Sequence, residues 1–453
     1  LSALFIAPRD TSLPPLSQAD NEIQPKVIAD YQNHQVLRAR FSLPIDAPST
    51  YRWNGESYTV AGGLDGDLRF AFASCNGEEY GDLDRDGTER NAMWAVMAKE
   101  HQQRPFSLLL HGGDQIYADE VTLGHPLSNN WPGRPPRDPS REDLADLHQH
   151  LREGFLHRYL AIYAAPEFGW LAARVPSLAQ WDDHDICDGW GSLQRSRTYS
   201  PVGQCLFAAA REAALVFQHG CTDGDLPPRF DDPKGRLLGW RIDAPGLRLL
   251  APDLRSERSR RRVMARGGWR MMKAEVTRDA PARTLVLSSV PLLGPRLSLL
   301  ELLMVLWPKM QKYEDDLRDQ WQSRAHRASW RRMLRLIRDM SDNNDQQITA
   351  ISGEIHLATR GEMPLSGGKV LHQLVASGIA HRAPPRAWAR VLGMLSWLGD
   401  APLKGHPIRI RQIPGQSERY VAERNFLMLE RVDGKWGAVW MFEGSGASPI
   451  LAI

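Results

Sequence analysis

Short apolar runs recur along this chain at residues 70–74, 106–110, 175–180, 247–250, 284–289, 347–351 and 370–376. Helical patterns stand among them at 90–102, 142–165, 206–218 and 299–340, the last interrupted at Pro308. The runs are too short for helices and lack the polar alternation of a half-exposed strand. They predict strands buried on both faces, and their alternation with helices predicts an α/β domain. Six of the seven runs are followed at once by metal- or phosphate-capable residues: Cys75, then HGGDQIY ending at Tyr117, WDDHD ending at Asp185, PDLRSER ending at Arg258, SGEIH ending at His356 and SGIAH ending at His381. In α/β sheets ligand chemistry collects at the carboxyl ends of strands, so these clusters are expected to converge on one site.

Around this pattern the sequence predicts two units, an N-terminal β segment over 1–67 and the α/β domain over 68–453. A strand is expected at 35–42 and a hairpin at 51–60 about Asn54-Gly55; a closing hairpin is expected at 426–432 and 436–442 about Asp433-Gly434. The formal charge of +2 over 453 residues gives no support for a general nucleic-acid binder. The apolar stretch 297–307 carries Glu301 and is shorter than the roughly 20 residues that span a bilayer, so it is expected to be a buried or interfacial helix. The opening LSALFIAPRD lacks the charged flank of a signal peptide, and the expected location is cytoplasmic. Four cysteines, none in a CxxC pair, exclude a disulfide scaffold and a thiolate zinc ribbon.

The chemistry of each cluster follows from its residue types. Gly112-Gly113 lets the backbone turn off a strand and presents Asp114, whose two oxygens can bridge two metals; Tyr117 becomes a ligand where a strongly polarising ion removes its proton. Asp182, Asp183 and Asp185 around His184 concentrate negative charge that calls for a cation, with one or two of the aspartates on metal and His184 as an acid or a phosphate-orienting donor. Glu354 and His356, two apart on an extended segment, would share one side and reach one metal centre. Cys75 can ligate as a thiolate. Arg255 can clamp phosphoryl oxygens with its planar fork, while Arg258 and Arg260 to Arg262 are expected on a solvated face. Asp82 to Gly87 opens like a calcium loop, but Met93 stands where that loop needs Glu. The basic, Trp-bearing segment 382–398 is expected to be a helix packed on the domain or one that touches a membrane surface.

As a set, these residues resemble the PhoD-like branch of the metallophosphatases, from about residue 68 to the C-terminus and in the same order. GDQIY is similar to the GDxxY segment shared with purple acid phosphatases, where the Asp bridges two metals and the Tyr binds ferric iron. WDDHD is similar to WDDHE, FASC to the segment with an iron-binding cysteine, SGEIH to SGDxH, and LRSER to the stretch with a phosphate-facing arginine. Two features depart from the family pattern: Glu354 replaces Asp, and the N-terminal β region is shorter and shows no twin-arginine signal.

The resemblance implies a four-layer α/β/β/α sandwich and a metal-dependent phosphoester hydrolase that favours diesters and attacks phosphorus in line with metal-activated hydroxide. Fe3+ would sit on Cys75, Asp114 and Tyr117, helped by His356 or an aspartate. Ca2+ or other divalent ions would sit on Asp114, Asp183 and Glu354, with Asp182 beside them; His184 and Arg255 would be catalytic. The expected partner is a phosphoester substrate, with no specific nucleic acid. Two alternatives remain: a metal-stabilised binding module without turnover, and a hydrolase of membrane lipid diesters.

Overall fold

The computed structural model of the chain describes residues 1–295 and 319–453. The expected helix over 297–307, and the part of 299–340 that precedes residue 319, lie outside the described residues.

Seven short strands come first: β1 (Ser2–Pro8), β2 (Leu16–Gln18), β3 (Asn21–Ile23), β4 (Lys26–Asp30), β5 (His34–Arg40), β6 (Ser49–Trp53) and β7 (Glu56–Val60). They form two sheets, ordered β1-β5-β4 and β3-β2-β6-β7. Leu16, Ala39, Phe41, Tyr51 and Val60 make a small core of their own. The hairpin β6–β7 turns at Asn54 and Gly55, both at positive φ, as a two-residue turn matched to strand twist requires. This N-terminal region is also fused to the rest: Ala29, Tyr31 and Val36 belong to the main core, and the Tyr51 hydroxyl donates to the Ala173 carbonyl at 2.5 Å.

All seven apolar runs are strands. The first three become β8 (Leu68–Ala73), β9 (Leu108–Gly112) and β10 (Ser177–Gln180), which pair in parallel. The C-terminal hairpin, β19 (Asn425–Val432) and β20 (Lys435–Phe442), extends this sheet antiparallel to β8 and turns at Asp433-Gly434. The other four runs become β12 (Leu247–Ala251), β13 (Arg283–Leu287), β14 (Gln347–Ser352) and β16 (Val370–Val375), the parallel centre of a second sheet. That sheet is edged by β11 (Trp240–Ala244) on one side and by β15 (Ala358–Pro364), β18 (His406–Arg411) and β17 (Asp400–Leu403) on the other.

Side chains alternate across the second sheet, so each strand serves two cores. Leu285 and Leu287 of β13 join the core that holds Phe70 and Phe72 of the first sheet. Val286 faces the other way, toward the helices Arg266–Ala274 and Arg327–Asn344. The first sheet packs with the helices Ala92–Gln103, Arg141–Tyr163 and Pro201–Ala213. The longest of these starts at a capping box between Ser140 and Asp143.

Side-chain bonds join the two sheets near the strand ends. Gln180 Nε2 donates to the Pro252 carbonyl at 2.6 Å, Trp240 Nε1 to Ala179 at 2.6 Å and Trp440 Nε1 to Val375 at 2.8 Å. Among the described residues no helix is long and apolar enough to cross a membrane.

Candidate metal centre

The carboxyl ends of β8, β9, β10, β12, β14 and β16 meet at one edge of the paired sheets. Ser74, at the end of β8, donates through Oγ to the Ala376 carbonyl at the end of β16. Gly353, at the end of β14, lies so close to it that an added Cβ would sit 2.0 Å from Ser74 Oγ. Gly113 is equally constrained: its φ is 106°, and a Cβ there would lie 2.6 Å from Asp182 Cβ. The glycines of GDQIY and SGEIH therefore let the two sheets bring their strand ends together.

Three groups of donor atoms result among the described residues, the third being Asp183, His184 and Asp188. In the first, ligand atoms of Cys75, Asp114 and His356 lie within 4.8 Å of one another. Cys75 Sγ is 3.4 Å from Asp114 Oδ2, and the buried Tyr117 hydroxyl is 2.9 Å from His356 Nε2. In the second, Asp114, Asp182 and Asp183 lie equally close, so Asp114 belongs to both. Asp114 Oδ1 and Asp182 Oδ2 are buried without a hydrogen-bond partner. Unpaired buried carboxylate oxygens are costly unless a cation satisfies them.

Electrostatics agree with that need. Burial, joined by the neighbouring aspartates, raises the Asp114 carboxyl well above its ordinary range against the pull of His184. Burial likewise raises Asp182, Cys75 and Tyr117. All four groups are pushed toward neutrality in the bare protein, and a bound cation inverts that preference. Burial and the adjacent His381 hold His356 well below the usual imidazole value, leaving the neutral ring that ligation requires. These donors fit metal ions.

The backbone is strained at the same places. Cys75, Asp114, Glu354 and His356 have φ of 54°, 52°, 73° and 52°, a region that costs a non-glycine residue about 1–3 kcal/mol. The left-handed turns also overturn one expectation. Glu354 and His356 are not on an extended segment and do not share a side. His356 faces Cys75 and Tyr117, whereas Glu354 accepts from Gln320 Nε2 at 2.5 Å and feels the charges of Asp182 and Asp319.

Arg255 has no exposed surface. Its guanidinium pairs with Asp182, with Asp183 at 3.2 Å and with Asp319. The structure places it behind the carboxylates rather than at an open surface. Arg258 is not on a solvated face either: it is buried and paired with Asp319 at 2.7 Å, while Arg260, Arg261 and Arg262 are exposed. Asp82 of the calcium-like loop is a structural anion, buried between Arg85 and Arg90.

Four further residues complete the site. Asp185 was legible only as one more acid in WDDHD. It is buried and accepts from the amides of Asp114, Gln115, Ile116 and Asp182 at 2.9, 3.0, 3.3 and 2.8 Å. It thereby holds the turns after β9 and β10 together; burial raises its pKa to about 7 although those amides pull it down. Gln218, at the end of the π-helical turn Ala214–Gln218, donates to the same carboxylate at 2.9 Å. Asp119, two residues past Tyr117, bonds His184 Nδ1 at 2.9 Å. Burial opposes protonation of His184, but Asp119, Asp183 and Asp114 outweigh it and hold its pKa well above the usual value. His381, from SGIAH, stacks on His356 with centroids 3.4 Å apart and planes at 14°. Its Nδ1 bonds the Arg382 carbonyl at 2.7 Å and its Nε2 is 3.5 Å from Glu79.

Residues 54–313 match the family described as PhoD related phosphatase. The uncharacterized protein YGR266W of Saccharomyces cerevisiae is 24% identical over 410 residues, covering 70% of this chain and 57% of the yeast protein. The chain thus spans a little over half the length of that curated relative. A solved structure of PhoD superposes with a TM-score of 0.56 at 13% identity, covering 92% of this chain and 76% of the other. Likeness at that identity is likeness of fold.

Proposed function

This chain belongs to the PhoD-related phosphatases, and from that premise we propose that its strand-end cluster is a metal-dependent phosphoesterase site that favours phosphodiesters. The observation that carries the reading is Asp114, a buried carboxylate shared by two donor groups with one oxygen left unpaired. The two mixed sheets with helices against them support a four-layer α/β/β/α arrangement.

Cys75, Asp114, Tyr117 and His356 would hold a hard trivalent ion such as Fe3+. Asp114, Asp182 and Asp183, with Glu354 nearby, would hold Ca2+ or another divalent ion. Bound ions would neutralise charge on the phosphoryl oxygens and acidify an attacking water. His184, kept protonated by Asp119, donates a proton to the departing oxygen. Arg255 keeps Asp182 and Asp183 in place, a positioning role in this reading rather than a phosphate contact. Asp185 keeps the two loops in register.

Initial rates on bis-p-nitrophenyl phosphate and p-nitrophenyl phosphate, with metal content measured on the same samples, test the proposal. The wild type should turn over the diester faster than the monoester. Asp114→Asn should lose both donor groups at once and more than a thousandfold in rate, about 4 kcal/mol of barrier, while keeping its circular-dichroism spectrum. Unchanged turnover in that variant overturns the assignment. No turnover by folded, metal-loaded wild type overturns the hydrolase reading.

A further inference from the structure

The basic, Trp-bearing segment supplies none of the candidate metal donors found among the described residues. Its helix, Arg386–Leu395, runs into a 3-10 turn at Ser396–Leu398. Ala389 and Leu392 face inward with Ile410 and Tyr420. The outward stripe reads Arg386, Arg390, Met394 and Trp397, at steps of four, four and three residues, and all four are exposed. That spacing keeps them on one helical face.

The stripe is divided along its length. Arg386 and Arg390 make its first half basic. Met394 and Trp397 make its second half apolar, with 66% and 79% of their surface exposed. Arg419 lies over the Trp397 ring, its guanidinium carbon 4.7 Å from the centroid. Residues 382–419 carry seven Lys or Arg against two acidic residues, a local balance of +5 in a chain whose total is +2. Acids from other segments offset part of it, since Glu78 and Glu89 pair with Arg382 and Glu362 pairs with Arg411, but the arginines of the stripe itself are opposed less. Glu418 meets Arg390 at 3.0 Å in an ion pair open to water, which contributes little. Glu423 is occupied by Ser445 and the Gly444 amide.

We propose that this stripe is a docking surface for an anionic lipid bilayer. Cationic side chains beside an exposed Trp and Met are the composition of a helix that lies in a membrane interface: arginines meet anionic headgroups, and the apolar pair enters the acyl boundary. A hydrated acidic protein partner would satisfy the arginines but leave Trp397 and Met394 without a reason for their exposure. The inference goes beyond the hydrolase reading and stands without it.

The test is co-sedimentation of the full chain with vesicles of phosphatidylcholine alone and of phosphatidylcholine with phosphatidylserine. The wild type should bind only the mixed vesicles and be released by salt. Met394→Ser with Trp397→Ser, and separately Arg386→Gln with Arg390→Gln, should each weaken binding by roughly tenfold or more at unchanged diester turnover and unchanged melting temperature. Absence of wild-type binding to the mixed vesicles, or binding by both double variants equal to wild type, overturns the proposal. So does equal retention of wild type and the Met394→Ser/Trp397→Ser variant on immobilised polyglutamate without vesicle binding, which would assign the stripe to an acidic protein.

Discussion

The two halves of the candidate metal centre share Asp114 but are stabilised differently. In the carboxylate half, Asp182 and Asp183 face the buried guanidinium of Arg255, itself backed by Asp319. In the half around Cys75, the near neighbours are a thiol, a phenol and two stacked imidazoles. One half carries an internal countercation, while in the other burial keeps the Cys75 thiol and the Tyr117 phenol protonated and the His356 ring unprotonated. The difference teaches that pre-organisation can be electrostatic or steric. Charge pairing aims the aspartates, whereas ring stacking and left-handed backbone aim Cys75 and His356.

Breaking what the halves have in common should have the largest effect. Asp185→Asn sets an NH2 against backbone donors that now share a carboxylate, and unsatisfied buried groups cost about 1–3 kcal/mol each. Stability should fall by several such increments, and metal should be lost from both halves together. Urea unfolding with metal analysis checks this; loss from one half alone would show that the loops are held independently. Arg255→Met should separate the halves. Removing one partner of a buried ion pair costs about 3–5 kcal/mol, and added divalent cation should restore part of it, because the cation replaces the missing charge. Cys75→Ser should show no such rescue.

His381→Ala sharpens the comparison from the other side. It should weaken metal binding around Cys75 by roughly 10–100-fold and leave the carboxylate half intact, as read by competition with a chelator. His381→Phe, which keeps a flat ring against His356, should recover most of that affinity. If it does not, His381 acts through its nitrogens and stacking is not its role.

A separate expected effect, outside the comparison of the two halves, is a loss of stability in acid. Burial pushes His111 down to about 3, and burial with Arg258 beside it pushes His326 down to about 4. A group whose folded pKa lies below its unfolded value of 6.5 binds fewer protons folded than unfolded. Its contribution is therefore undiminished above that value and is lost as pH falls toward the folded value, at up to about 1.4 kcal/mol per pH unit per group. Urea midpoints at pH 7 and pH 4.5 should show the decline; a flat profile would mean these rings are protonated in place.

Much of this molecule was legible before folding because it depends on local chemistry. Apolar runs such as 347–351 and 370–376 became buried parallel strands, and Asn54-Gly55 and Asp433-Gly434 became hairpin turns. The clusters at the strand ends follow from the same periodicity, since a polar residue after a buried run must emerge where the strand leaves the core. Spacing reports only the local backbone, however, and it misled at Glu354 and His356, where positive φ sends neighbours in SGEIH to different partners. It also placed Arg258 in solvent, because the carboxylate that buries it, Asp319, lies far along the chain. The tertiary structure alone decided that Asp119 serves His184, that His381 lies on His356, and that Asp185 ties two loops together. Those pairings depend on how two sheets pack, and sheet packing brings together side chains that no local pattern connects.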